Sequence, residues 1–297
     1  MPIATNNNIR HDFDRNGFVG PLDILTQQQA QETLIDVQKE LKSSNASRFK
    51  LHLVLRSIAD IVHHPILVEA VQTALNSKDI LLWSSDINIK QPNSEGYFAP
   101  HQDSTYAGLV PPEECLTAWI ALSDPVGPQE GCLSFYRGSH KLGQIRHEVR
   151  DPSTDNNMLS LGQYISLHQL ESLCITEDKM ETISLRSGQA TFHSFTTVHV
   201  SGPNRSDHPR VGLALRYITA RVCQSKPTKE LVTLVSSTVP IHHFDLETEI
   251  PLNPTQEDIE KGREQQKDAI RREETNYFSK RKVSSNQRDV SIGPNVK

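Results

Sequence analysis

Apolar residues recur at helical spacing early in the chain and in short, strand-like runs later. Between Leu25 and Leu41, the residues Ala30, Leu34, Val37 and Leu41 fall three or four apart, and Thr26 stands where an N-cap would. Further helical regions are expected over Leu51–Val62 and Pro65–Asn76, the latter with Ile66, Ala70, Val71 and Leu75 as its apolar set. The pattern changes after Lys78. Ile80–Gln91, Cys115–Ser123, Cys132–Tyr136, Thr182–Leu185, Gln189–His193, Thr197–Val200 and Val211–Thr219 read as strands, separated by turn-rich links such as Gly127-Pro128 and Gly202-Pro203-Asn204. Asp12–Gly20 reads as a short lead-in. Ile145–Lys179 interrupts the strands, is polar, and holds one helical stretch at Leu167–Leu173. An insertion of that length is often a lid or binding loop. Pro254–Thr275 reads as a charged surface helix, and Lys280–Lys297 as a frayed polar tail.

Helices first, then many short strands, predict a mainly β protein with supporting helices: a jelly-roll barrel, cupin-like, with the helices at its N-terminal end. A doubly wound fold is excluded, because helices do not alternate with the strands after Ile80. The expected organisation is one domain over 1–297. Residues 1–79 give helical support, 80–220 the jelly-roll core with the 145–179 insertion, and 221–297 a peripheral segment.

Composition is that of a globular protein, 36% hydrophobic and 23% charged over 297 residues, enough for a sizeable core. The net charge of -5 and the lack of a basic cluster argue against a nucleic-acid partner. No apolar run reaches the length of a membrane span, and the polar, Asn-rich start offers no secretion signal. Four cysteines, Cys115, Cys132, Cys174 and Cys223, lie far apart and read as reduced thiols in a cytoplasmic protein.

The candidate chemistry begins at Tyr97-Phe98-Ala99-Pro100-His101-Gln102-Asp103. In an extended stretch, residues two apart point to one face, so His101 and Asp103 would present an imidazole and a carboxylate together. Two histidines and one carboxylate on one side of a metal, with open positions opposite, mark the non-haem Fe(II) oxygenases. The spacing alone is common. His243-Phe244-Asp245 repeats it, but lies after Pro240 with no later histidine to complete a site. Two residues could supply the second imidazole, His193 and His199; His208 sits in a Pro- and Asp-rich loop and reads as solvated. Arg210 opens the last long strand. If Val211, Leu213 and Leu215 face one side, Arg210, Gly212 and Ala214 face the other, where small neighbours leave room to reach a guanidinium suited to a carboxylate. The plain alternative pairs Arg210 with Asp207 at the surface. Tyr106 either touches substrate or fills the barrel mouth. Cys115 and Cys132 read as buried apolar residues, and His140 and His193 as hydrogen-bonded structural histidines.

The segments "APHQDSTY", "TAWIALSD", "EGCLSFYRGSHK" and "VHVSGPNRSDHPRVGLALRY", in that order, resemble the phytanoyl-CoA dioxygenase family of Fe(II)/2-oxoglutarate-dependent oxygenases. The resemblance runs from about Ile80 to Ala220 and implies a double-stranded β-helix. It makes His101, Asp103 and His199 the metal ligands and catalytic centre. It has Arg210 hold the distal carboxylate of 2-oxoglutarate with help from Ser201, and Trp119 pack beside the cosubstrate. Lys90 falls where relatives carry a lysine, and Asp86 and Asn88, on one face of the preceding strand, are expected to line the pocket; Asn88 and Lys90 are further cosubstrate-site candidates. Halogenating relatives replace the acid by Ala or Gly, so Asp103 implies oxygenation rather than chlorination. The implied cofactors are Fe(II), 2-oxoglutarate as cosubstrate and O2. The implied reaction is oxidation, by default hydroxylation, of a C–H bond in a small organic molecule, of the kind met in secondary metabolism, with release of succinate and CO2. A metal-dependent non-oxidative enzyme and a non-catalytic binding protein on the same fold are the alternatives.

Overall fold

The structure is a computed structural model, and it describes residues 6–44, 46–151, 155–159, 162–225 and 228–286. Among them, strands form a seven-stranded major sheet and a four-stranded minor sheet. The major sheet runs β1 (Phe18–Asp23), β10 (Gln189–Ser194), β5 (Cys115–Ala121), β12 (Arg210–Thr219), β2 (Ile80–Lys90), β14 (Leu231–Ser236), β15 (Asp245–Leu246). The minor sheet runs β3 (Phe98–His101), β11 (His199–Ser201), β6 (Leu133–Tyr136), β9 (Met180–Thr182). Two small ribbons pair β4 (Leu109–Val110) with β13 (Cys223–Gln224), and β7 (Glu148–Val149) with β8 (Gln163–Tyr164). This is the jelly roll that the strand pattern predicted. No helix among the described residues is long and apolar enough to cross a membrane.

The outer face of the major sheet is covered by α1 (Asn6–Asn16), α2 (Gln27–Glu40), α3 (Arg56–Val62) and α4 (Pro65–Leu75). Phe13, Leu34, Val37, Ile58 and Val71 from these helices share one buried cluster with Leu82, Leu116, Phe192 and Leu213 of the sheet. The alternation along β12 sorts its side chains as period-2 geometry requires. Val211, Leu213, Leu215 and Tyr217 join the helix-facing core, while Arg210, Ala214 and Arg216 line the barrel interior. Thr26 caps α2 in a capping box with Gln29.

Several expectations shift. The Asp12–Gly20 lead-in is the end of α1 and the start of β1, an edge strand whose register slips between Val19 and Leu22, next to the Gly20-Pro21 pair that disguised it. In α4 the inward residue is Leu67, and Ile66 is exposed. The helical region from Leu51 divides into a 3-10 turn and α3. The insertion 145–179 carries β7, β8 and α6 (Leu167–Ser172). The C-terminal helix α7 spans Gln256–Asn286, so the tail expected to fray from Lys280 begins inside it; side chains past Asn276 and all residues past Asn286 lie outside the described ones. Docking of α7 is polar. Gln266 donates to the carbonyls of Phe49 and Lys50, Arg263 pairs with Glu40, and Asn276 is buried against Thr228. With Ala269 buried and Ile259 half-buried beside these polar contacts, the helix shows little apolar stripe in the sequence, which is why only a solvated face was expected.

Candidate active site

β11 lies between β3 and β6, and its register sets His199 directly opposite His101. Opposed residues of an antiparallel pair project to the same side, and here the two imidazole rings stand 4.1 Å apart. β3 ends at His101. Asp103 lies just beyond it, with helical backbone angles, as the first residue of the turn into α5 (Ser104–Ala107). The carboxylate therefore reaches the shared site from a turn, not from an extended strand. Its Oδ1 is 3.7 Å from Nε2 of His101 and 3.9 Å from Nε2 of His199. Two donors each about 2 Å from one ion would stand at most about 4 Å apart. All three donor atoms lie within 4.8 Å of one another and all three residues are buried.

The protein fixes which nitrogen faces the centre. Nδ1 of His101 donates to the carbonyl of Ala99 at 2.8 Å, and Nδ1 of His199 to that of Thr197 at 3.0 Å. This holds the Nε2 lone pairs inward, as metal-bound imidazoles require. Burial pushes the His101 imidazole down to about 4, and that of His199 well below its usual range. Both are thus neutral donors near neutral pH. Burial alone would raise the Asp103 carboxyl, but the His193 ring beside it and the charge of Arg216 outweigh this and hold it well below its ordinary range. Its two oxygens are held separately. Tyr106 donates to Oδ1 at 2.6 Å, and Thr117 on β5 donates to Oδ2 at 2.6 Å. Gln102, fully buried, ties the turn to the carbonyls of Thr196 and Gly143.

Arg210 is 1% exposed and does not meet Asp207, which pairs with His208. Its Nη2 donates to the Gly131 carbonyl at 3.0 Å and to Ser201 Oγ at 2.9 Å, while Nε and Nη1 are buried without a partner. A buried donor without an acceptor costs about 1–3 kcal/mol, more when charged. Two such donors on one guanidinium describe a cradle for an anion. Trp119 lies flat beneath it, 4.7 Å from ring centre to guanidinium carbon, and donates to Asn88 Oδ1 at 3.2 Å. The indole crosses over Gly212, where a Cβ would stand 1.8 Å from the ring; only glycine admits it. Gly131 is constrained too, with φ +68° and the Gly202 carbonyl 2.2 Å from where a Cβ would sit. Lys90 is buried in the same corner, its Nζ on Ser201 and the Gly202 carbonyl, and burial followed by Arg210 lowers it to about 6. Asp86 pairs instead with Arg216, at the opposite end of the β12 inner face.

The structure thus gathers His101, Asp103, His199, Arg210, Trp119 and Asn88 around one cavity of about 60 Å³, with Ser201 and Lys90 behind Arg210. His243 is exposed and takes no part. His193, expected to be a hydrogen-bonded structural histidine, lines the cavity with neither ring nitrogen hydrogen-bonded and Nε2 3.4 Å from Asp103 Oδ2. His140 keeps a bond to the Asp14 carbonyl through Nε2, but its buried Nδ1 has none. Thr117 and Arg216 were not singled out from sequence. The signal for Arg216 was present: it shares parity with Arg210 along an alternating strand.

A family model described as Phytanoyl-CoA dioxygenase (PhyH) matches residues 13–212. "Phytanoyl-CoA dioxygenase domain-containing protein 1" of Mus musculus is 29% identical over 180 residues, 60% of this chain and 58% of that protein. The chain spans less than two thirds of the length of this relative and of its Bos taurus counterpart. Among solved structures, a non-heme monooxygenase, apo ThoJ, superposes with a TM-score of 0.77 at 27% identity, covering 91% of this chain and 98% of that one. The epimerase SnoN, solved with Fe3+, alpha ketoglutarate and nogalamycin RO, shares the fold at 21% identity, with a TM-score of 0.62 over 74% of this chain and 85% of that one. The matched span contains the strands and turns that carry all three donors and Arg210, and the chain belongs to the phytanoyl-CoA dioxygenase family.

Proposed function

We propose that this chain is an Fe(II)- and 2-oxoglutarate-dependent oxygenase that hydroxylates a C–H bond of a small organic molecule. The observation that carries the reading is the convergence of the His101, Asp103 and His199 donors within 4.8 Å in a buried pocket beside a guanidinium with two unpartnered donors. The donor set fits Fe(II), since two neutral imidazoles and one carboxylate leave positions open for other ligands. When bound, Fe(II) with 2-oxoglutarate and O2 supplies the oxidant, and succinate and CO2 leave.

The chain's own residues bind, orient and exclude water. His101 and His199 offer Nε2 because backbone carbonyls hold their Nδ1 protons. Asp103 offers Oδ1 because Thr117 keeps the other oxygen turned away. Its carboxylate would fill a coordination position that a halide would otherwise need. Arg210 would take the distal carboxylate of 2-oxoglutarate through Nε and Nη1, with Ser201 fixing Nη2 and Trp119 walling the cosubstrate. A hydrolytic metal site would have no use for that arginine. The test is direct. Purified protein with Fe(II) should convert 2-oxoglutarate to succinate, and Asp103→Ala or His199→Ala should abolish this while leaving the circular dichroism spectrum unchanged. Undiminished succinate from either variant would refute the assignment.

A further inference from the structure

β12 sends two guanidinium groups into the barrel, and the one at residue 216 has no role in the reading above. Six residues of antiparallel strand separate the two arginines, about 20 Å of backbone, with only Gly212 and Ala214 facing inward between them. They therefore belong to different ends of the cavity. Arg210 marks the cosubstrate end. Arg216 pairs across the sheet with Thr117, level with Asp103.

The surroundings of Arg216 leave one donor free. Nη1 pairs with Asp86 Oδ2, which also accepts from Ser84. The guanidinium carbon lies 5.7 Å from the centre of the Tyr106 ring, and that tyrosine is anchored by its hydroxyl to Asp103. Nε is buried with no partner, and the side chain lines the metal cavity. With Nη1 on Asp86 and the Tyr106 side chain beside the guanidinium, Nε is the donor left to meet an oxygen of a carboxylate or phosphoryl group. The opposite walls, Phe98, Leu133 and Leu159, are apolar.

We propose that Arg216, oriented by Asp86 and Tyr106, is the substrate anchor and that the substrate carries an oxyanion headgroup, a carboxylate or a phosphonate, on a short carbon chain. The proposal rests on the oxygenase reading. Thr117, which pairs with Arg216 across the sheet, holds Asp103, so the headgroup sits near the metal site and the oxidised carbon is close to the anion.

The test offers the full chain, with Fe(II) and 2-oxoglutarate, a panel of short alkyl carboxylates and alkylphosphonates together with the matching primary amides. Succinate is measured against a no-probe control. Oxyanion probes should raise the succinate rate and amides should not. Arg216→Gln should raise the half-effective probe concentration about tenfold to a hundredfold, and Arg216→Lys should fall between. Removing the arginine strands Asp86, so the charge-balanced double variant Arg216→Gln/Asp86→Asn is measured in parallel and should show the same loss. Without turnover, the same probes should raise the Tm of the wild type and not of the double variant. Stimulation by amides equal to that by acids, no stimulation by any oxyanion, or an undiminished response in the double variant would overturn the anchor while wild-type succinate formation without probe still supports the oxygenase. A wild type that forms no succinate under any condition overturns both.

Discussion

Lys50, His52 and Glu247 are buried together against the β2 segment from Trp83 to Ser85, while Arg210, Arg216 and His193 are buried inside the barrel. In the first cluster every polar atom is met. Lys50 Nζ donates to the carbonyls of Trp83 and Leu231, each at 2.8 Å, and to Glu247 Oε1. His52 reaches Ser85 Oγ at 2.7 Å and Glu247 Oε2 at 2.9 Å, and Thr233 donates to the same oxygen. In the second cluster Arg210 Nε and Nη1, Arg216 Nε and His193 Nδ1 have no partner, and His193 Nε2 has only the Asp103 carboxylate at 3.4 Å. Burial is alike in the two places. What separates a clamp from a site is unmet hydrogen-bonding capacity. The clamp is complete in the chain itself and ties the early segment to the strands after Glu230; the barrel keeps donors unmet.

The contrast gives opposite outcomes for removing one member of each cluster. Glu247→Gln leaves Lys50 buried without its counter-charge, a loss of about 3–5 kcal/mol. Unfolding should show it as a Tm lower by about 10 °C, with the KM for 2-oxoglutarate unchanged. Arg210→Gln should do the reverse. The KM for 2-oxoglutarate should rise about tenfold to a hundredfold, read from succinate formation, and Tm should hold or rise because an unpaired buried charge is gone. Equal stability losses in the two variants would erase the distinction. A smaller effect is expected from pH. Burial would raise the Glu247 carboxyl, but Lys50 and His52 outweigh it and hold it at about 2, below its ordinary 4.5. A depressed folded-state value means that the unfolded chain binds the proton more readily, so stability is full above about 4.5 and fades as pH falls towards 2. Burial likewise lowers His52, which adds a loss beginning below its ordinary 6.5. Denaturant unfolding across this range should give a shallower acid slope in Glu247→Gln than in the wild type.

Legibility from sequence followed the same division. The jelly roll was readable because strands of the barrel alternate or run apolar, and the apolar faces of α2 and α4 repeat at helical spacing. The metal donors and Arg210 were readable because they lie in local motifs, two residues apart or at a strand start. What escaped depends on distant pairing. Thr117 meets Asp103 only through the fold, and no local pattern marks a threonine in a buried strand as a carboxylate's partner. Lys50 and Glu247 are 197 positions apart, and each alone reads as a surface charge. The polar docking of α7 escaped for the same reason. β1 escaped because Gly20-Pro21 interrupts it and its partner β10 comes late in the chain.

β11 is only three residues long, yet it carries both His199 and Ser201. On the proposed reading, iron and cosubstrate would both lean on this single short span of backbone. A slip of one position along β3 and β6 would turn both side chains out of the barrel together. Any effort to retune the affinity for one through this strand will drag the other along, so a change that weakens metal loading here should be expected to weaken co-reactant capture in the same stroke.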